Sequence, residues 1–203
     1  MSLTRFASLT VLAAIVAQPA LAQSNNFTGV SAAAGFAMTG ANTYIDEGGN
    51  SGMGYDLGKT STVALVDVGY GLSLNKNFVL GLGASVDLGK SKLGGVYGTD
   101  FVGKSHNALY VQPTWLLSPT TGLFAKVSYQ QIKNEFVDGS TTYSMSSKGT
   151  GLGLGVKTFI NSNVFVQVEA SNVTYKAKAL DAANSGTAKV SATAGTVSAG
   201  YRF

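Results

Sequence analysis

The chain has 203 residues, with 26 glycines, three prolines, one histidine, no cysteine and a formal net charge of +4. Its length allows one domain, the absence of cysteine excludes a disulfide framework and thiol catalysis, and so mild and scattered a positive charge excludes the concentrated basic face of a nucleic-acid binder. Hydrophobic residues make up 45% of the chain, yet beyond the leader no apolar run reaches the roughly 20 residues of a membrane-spanning helix.

Met1–Ala22 reads as a secretory signal peptide. Arg5 gives the positive start, Phe6–Val16 the apolar stretch, and Ala20-Leu21-Ala22 the small-x-small cleavage site before Gln23. The mature domain then spans residues 23–203 and loses the charge of Arg5.

From Phe27 onward the dominant period is two. Eight alternating segments follow: Phe27–Met38, Lys59–Leu72, Asn77–Gly89, Lys104–Leu116, Thr121–Lys133, Ser147–Ile160, Asn163–Tyr175 and Lys189–Phe203. Asn75-Lys76, Ser118-Pro119-Thr120 and Asn161-Ser162 carry tight-turn chemistry. Between them fall four longer connections, Thr39–Gly58, Lys90–Gly103, Asn134–Ser146 and Lys176–Ala188. Strict alternation of long and short connections predicts an all-β fold, an eight-stranded antiparallel up-and-down transmembrane β-barrel. A soluble β-sandwich also alternates, but Tyr70, Phe78, Trp115, Tyr201 and Phe203 gather at the short-turn end with one parity, as a membrane-interface girdle does.

The parity assigns an apolar face to lipid and a polar face to the lumen. The polar face carries glycines, serines, Gln112, Gln130, Gln167 and six charges: Asp67, Asp87, Lys126, Lys157, Glu169 and Arg202. Eight strands enclose an interior just wide enough for side chains to fill, and an unpaired charge there carries a large desolvation cost. A charge-paired, hydrated plug is expected, with Arg202 a partner for Asp67, Asp87 or Glu169; the alternative is a narrow polar path for water or small ions. Inward glycines (Gly69, Gly71, Gly81, Gly83, Gly151, Gly153 and Gly155) are expected to make room for long lysine, glutamine and arginine side chains. Pro113 cannot donate to a ladder, which predicts a bulge or an early strand end there. Val190 and Ala192 break parity, which predicts another bulge.

Nine lysines cluster at the long-loop end: Lys59, Lys90, Lys92, Lys104, Lys133, Lys148, Lys176, Lys178 and Lys189. They serve loop solubility or form an electrostatic collar for lipopolysaccharide, since near-surface lysines each gain on the order of 1 kcal/mol from anionic headgroups. Other patterns carry little chemistry. Gly151-Leu152-Gly153-Leu154-Gly155 lacks the spacing and following helix of a nucleotide loop, and Asn172-Val173-Thr174 is a glycosylation triplet by pattern only. Asp46, Glu47 and Asp56 lack the ordered spacing of a cation loop, and no cofactor pattern is present. The single histidine, His106, stands near the outer end of the fourth segment, with Ser105 on the opposite face and Ala108 two residues on. That arrangement offers no catalytic residues, because a hydrolase needs a nucleophile beside its base.

Leader, eight segments, four long loops and the terminal Ala199-Gly200-Tyr201-Arg202-Phe203 resemble the small bacterial outer-membrane β-barrel superfamily. That group includes the OmpA transmembrane domain, OmpX-like proteins and opacity-type surface proteins. The resemblance implies a cell outer-membrane location and recognition by the barrel-assembly machinery, with Tyr201 and Phe203 as the aromatic positions of the assembly signal. In the lipid A deacylases of that group the nucleophilic serine follows the histidine by two residues, where this chain has Ala108. Family members include adhesins, anchors, porin-like channels and a few enzymes, so membership implies place and shape rather than activity. The expected function is a non-enzymatic surface barrel with a plugged interior. It would contribute to membrane integrity or to adhesion, its long loops meeting a host or cell-surface ligand. A narrow channel for water, ions or small solutes is the alternative, and a lipid-modifying enzyme is the third.

Overall fold

The computed structural model describes residues 26–46, 54–96, 99–138, 141–179 and 187–203. The expected leader and Glu47 lie outside the described residues. Ten strands form one antiparallel sheet: β1 (Gly29–Asp46), β2 (Gly54–Asn75), β3 (Phe78–Asp87), β4 (Ser91–Val96), β5 (Thr99–Leu116), β6 (Thr121–Asp138), β7 (Thr141–Phe159), β8 (Val164–Tyr175), β9 (Lys178–Ala179) and β10 (Thr187–Arg202). Two of them are continuations. Both β3 and β4 pair with β5, and both β8 and β9 pair with β10, so eight staves make the wall. The ring closes between β1 and β10, in unbroken register from Ser31↔Arg202 to Asp46↔Thr187. Closure removes the unpaired edges that hydrocarbon would not tolerate.

Burial is inverted relative to a soluble protein. Phe36, Val68, Leu109, Leu152, Leu154 and Val197 are each more than half exposed, while Gln112, Gln130 and Glu169 are buried. On β2 the outward apolar positions run from Ala64 to Leu74, about 33 Å along a strand at ~3.3 Å per residue. At a tilt of ~40° this is about 25 Å along the membrane normal, the height of the apolar band of such barrels.

All eight expected segments lie on wall strands, but the wall reaches higher than expected. Much of the four stretches read as long connections is strand, including 39–46, 54–58, 91–96, 99–103, 134–138 and 141–146. At the other end Phe27 precedes the strand it was expected to start. β1 begins at Gly29, whose φ of 91° turns the chain, and Phe27 tucks beneath the barrel among buried apolar residues.

Neither expected bulge occurs. The pairing of β3 with β5 passes through Leu80↔Pro113 without a shift. On the β6 side the register at Val111↔Val127 is the same as at Thr114↔Phe124, so Pro113 sits in the ladder without displacing it. Val190 and Ala192 continue the β1–β10 register. They face inward because the upper lumen is apolar, where Ala192 is buried and Val190 packs on Ala41, Ile132, Val173 and Tyr175. The bulge on β5 lies instead at Ser105–His106, which together oppose Ile132 between Lys104↔Lys133 and Asn107↔Gln131. Ser105 adopts a left-handed φ of 50° there, as the extra residue of a bulge can.

The inward glycines make room for polar chains and for rings alike: Gly81 lies against Gln112, Gly151 against Gln130 and Gly153 against Glu169, while others lie beneath aromatic rings. Tyr110 lies across Gly83, Phe124 across Gly155, Phe165 across Gly200 and Tyr175 across Gly149, and each ring and glycine are direct register partners on neighbouring strands. A Cβ at Gly155 would overlap the Phe124 ring and the Val168 carbonyl, whereas one at Gly195 would meet nothing within 4 Å. Gly155→Ala is therefore expected to destabilise the folded barrel by about 1–3 kcal/mol, the usual cost of overpacking. Gly195→Ala should leave its urea-unfolding midpoint in lipid vesicles nearly unchanged, and equal effects at the two sites would contradict this packing.

Candidate functional site

The lumen is layered. At the short-turn end Phe27, Val79, Phe159 and Phe165 form a buried apolar floor. Phe159 meets Phe27 edge-on at a centroid distance of 5.0 Å and Phe165 at 5.3 Å. Phe124, only 1% exposed, lies between this floor and the middle of the barrel. At the loop end Ala41, Ile132, Val173 and Tyr175 form an apolar ceiling. Above the floor lies a chamber of about 110 Å³, lined by charged and polar groups in its middle and reaching up along Ile132, Val173 and Tyr175.

Strand geometry brings the chamber's charges into pairs. Lys126 on β6 forms an ion pair with Glu169 on β8, and its ammonium also sits 4.5 Å from the Tyr110 ring centroid, a favourable cation–π placement. Tyr110 donates its hydroxyl to Asp67 at 2.8 Å. Higher up, His106 Nδ1 lies 2.9 Å from Asp87 Oδ2, and its Nε2 lies 2.8 Å from Gln130 Oε1. Gln130 is oriented by donating from Nε2 to Ser128 Oγ at 2.9 Å, which turns its carbonyl oxygen toward the histidine. Both ring nitrogens are thus engaged, one by the Asp87 carboxylate and the other by Gln130. Neither nitrogen is free to act on a substrate.

His106 faces the lumen with the same parity as Ala108, Tyr110 and Gln112. Gly103, three positions earlier, also faces the lumen, because the extra residue of the β5 bulge resets the parity. Ser105 is exposed, on the face away from His106.

Asp67, Asp87, Lys126 and Glu169 line the chamber, but the other two charges of the expected network lie below it. Lys157 places its ammonium 4.5 Å from the Phe165 ring centroid, and among the described residues no carboxylate pairs with it. Arg202 is not a partner of the three acids. Its guanidinium donates to the backbone carbonyls of Ser162 at 3.1 Å and Thr28 at 3.5 Å. Ala192, Ala194, Thr196 and Ser198 of the last strand line the chamber, but Arg202 stands at that strand's end, at the lower mouth, where it ties the chain entry to the β7–β8 turn. Tyr201 and Phe203 point outward and stack edge-on at 5.3 Å.

Among the collar lysines, Lys59, Lys90, Lys133, Lys148, Lys176 and Lys189 are exposed; the side chains of Lys92 and Lys178 lie outside the described residues. Lys104 is partly covered and bonds Glu135, holding that carboxyl below its ordinary value. Their attraction is present at neutral pH and is lost as pH falls through the lowered value.

Sequence reasoning missed His106 as a lumen partner of Asp87, together with Tyr110, Phe124, Phe159, Phe165 and Tyr175. Each shares inner-face parity with a residue already assigned to the lumen, so the signal was present.

Closed wall, lipid-facing belt and polar lumen define a small transmembrane β-barrel of the bacterial outer membrane. Residues 8–203 match the family described as outer membrane protein beta-barrel domain, and the chain belongs to it. No curated protein sequence matches it. Among solved structures it is similar to the outer membrane protein OprG from Pseudomonas aeruginosa, at 12% identity and a TM-score of 0.59, covering 90% of this chain and 99% of that one. Ail, the attachment invasion locus protein of Yersinia pestis, is similar at 15% identity and a TM-score of 0.52, covering 87% and 99%. So is the outer membrane protease OmpT from Escherichia coli, at 10% identity and a TM-score of 0.52, covering 91% and 99%. At these identities the likeness concerns the fold, which carries both attachment and proteolysis among its bearers.

Lys126→Ala or Glu169→Ala alone should destabilise the barrel by about 3–5 kcal/mol, because each leaves a buried charge without its partner. The double variant Lys126→Leu/Glu169→Leu should lose far less than the sum. Urea unfolding in vesicles, followed by the fluorescence of Trp115, measures all three; additive losses would contradict the pairing.

Proposed function

We propose that the protein is a non-enzymatic surface barrel of the outer membrane. Its interior is a structural plug, and its role is exercised by its wall and upper rim. The observation that carries this reading is the packed lower lumen, where the apolar floor of Phe27, Val79, Phe159 and Phe165 lies beneath the Lys126–Glu169 pair. A conducting path would have to push aside that floor and separate the pair, which the stiffness of close-packed interiors opposes. An enzyme would need a nucleophile beside His106, where Asp87 and Gln130 instead occupy both ring nitrogens.

The same proposal includes export by a leader cleaved near Ala22 and recognition of Tyr201 and Phe203 by the assembly machinery. In the membrane the exposed lysines contact lipopolysaccharide, and the upper loops meet a host or cell-surface ligand. Similarity to Ail, an attachment invasion protein that has also been solved with the heparin analogue sucrose octasulfate, supports a role in surface interaction.

Planar-bilayer recording tests the plug. Refolded wild-type protein should stay near background conductance, and Phe124→Ala, which removes the ring above the floor, should raise it. A steady, ion-selective conductance from the wild type that changes on replacing Lys126 or Glu169 would establish a channel instead.

A further inference from the structure

Two pairs of lysines face each other directly across neighbouring strands, and the structure treats them differently. Lys104↔Lys133 is one register pair, and there Glu135 bonds Lys104 and offsets the repulsion. The other is Lys148 and Lys176, one position beyond Gly149↔Tyr175, where the Lys176 amide donates to the Lys148 carbonyl at 2.9 Å. Both side chains are exposed and point outward, since Ser147, Gly149 and Tyr175 are buried on the inner face. Like charges directly opposite on a sheet repel, and among the described residues no carboxylate bridges these two. The row continues onto a third strand. Lys189 lies between the pairs Ser191↔Thr174 and Ala188↔Lys178, across which the register shifts by one, so it stands opposite Lys176 and Ala177. On the strand after that its register partner is Tyr44, also exposed and outward.

Height completes the argument. Below the row Thr150 and Thr174 are register partners on the outer face, and below Thr150 the lipid-facing Leu152 begins the apolar belt. The four residues from Leu152 to Lys148 span about 13 Å along the strand, or about 10 Å of height at the usual tilt. The row therefore starts just above the hydrocarbon, at the level of headgroup phosphates. Resting on the wider collar reading above, we infer that Lys148, Lys176 and Lys189 form one built row that binds the phosphate groups of an outer-leaflet glycolipid. The missing counter-charge comes from the lipid, and the threonines beneath supply hydroxyl donors.

The test uses the full barrel folded in zwitterionic micelles, titrated with diphosphorylated lipid A and read by native mass spectrometry. Wild type should retain the glycolipid, and Lys148→Gln/Lys176→Gln/Lys189→Gln should weaken it ~10- to 100-fold, from roughly 1 kcal/mol per lysine less what exposure to water screens. Lys59→Gln/Lys90→Gln/Lys133→Gln removes the same charge elsewhere and should weaken it no more than about threefold. Fully dephosphorylated glycolipid should bind wild type as poorly as the row variant binds lipid A. Without glycolipid the row variant should unfold at a urea concentration at or above that of wild type, because its repulsion is gone. Equal weakening by both triple variants would overturn the row while leaving a diffuse collar, and wild type that retains no lipid A would overturn the collar itself. Displacement of lipid A by equimolar inorganic phosphate would show a simple anion site and overturn the glycolipid assignment.

Discussion

An aromatic ring lying across a glycine on the next strand is the interaction from which the interior is built. Eight strands leave too little cross-section for large side chains to meet large side chains at every rung. Four glycines remove that conflict: Gly83, Gly155, Gly200 and Gly149 sit directly opposite Tyr110, Phe124, Phe165 and Tyr175. A ring that lies flat over a bare backbone fills the lumen sideways, from the wall inward, and still shields the sheet beneath it, as aromatics do for strand glycines elsewhere.

The polar chamber follows from where those rings lie. Phe124 and Phe165 bound it below and Tyr175 bounds it above. Tyr110 serves twice, holding Asp67 with its hydroxyl and Lys126 with its face. With water largely displaced, the electrostatics are local. Each carboxylate in the chamber needs a donor within reach, and Asp67, Asp87 and Glu169 have Tyr110, His106 and Lys126. Lys157, seated on the floor, has a ring face rather than an anion.

Most of the wall was legible in the sequence because parity in a membrane strand is a strong signal: each residue faces either lipid or lumen. The eight segments, the short turns and the lipid face follow from that alone. The lumen was harder to read for a definite reason. Parity tells which residues point inward but not how the strands are registered, and the ring-to-glycine pairs exist only through register. Tyr110 and Gly83 are far apart in the chain and become partners at one stagger only. The same gap misassigned Arg202, whose inward parity is right but whose position on the last strand leaves it at the lower mouth. Val190 and Ala192 looked like errors of alternation because the lumen was taken to be polar throughout, whereas its upper layer is apolar. The bulge at Ser105, which sends Gly103 inward against the parity of the rest of the strand, has no strong composition marker: neither Ser105 nor His106 is a glycine or a proline.

Charge is handled in opposite ways on the two faces of one wall. Inside, every carboxylate that lines the chamber has a donor supplied by this chain. Outside and just above the belt, Lys104 has Glu135, while Lys148 and Lys176 face each other with no carboxylate between them among the described residues. A sheet surface in open water would relieve such a pair cheaply by substitution, since exposed ion pairs and repulsions are each small. At the membrane boundary the same pair faces a leaflet that can carry the opposite charge. The interior, packed and with its carboxylates already partnered, has little left with which to recognise anything. The upper outer wall, with charge in excess of its own partners, is where recognition by this barrel has a physical basis.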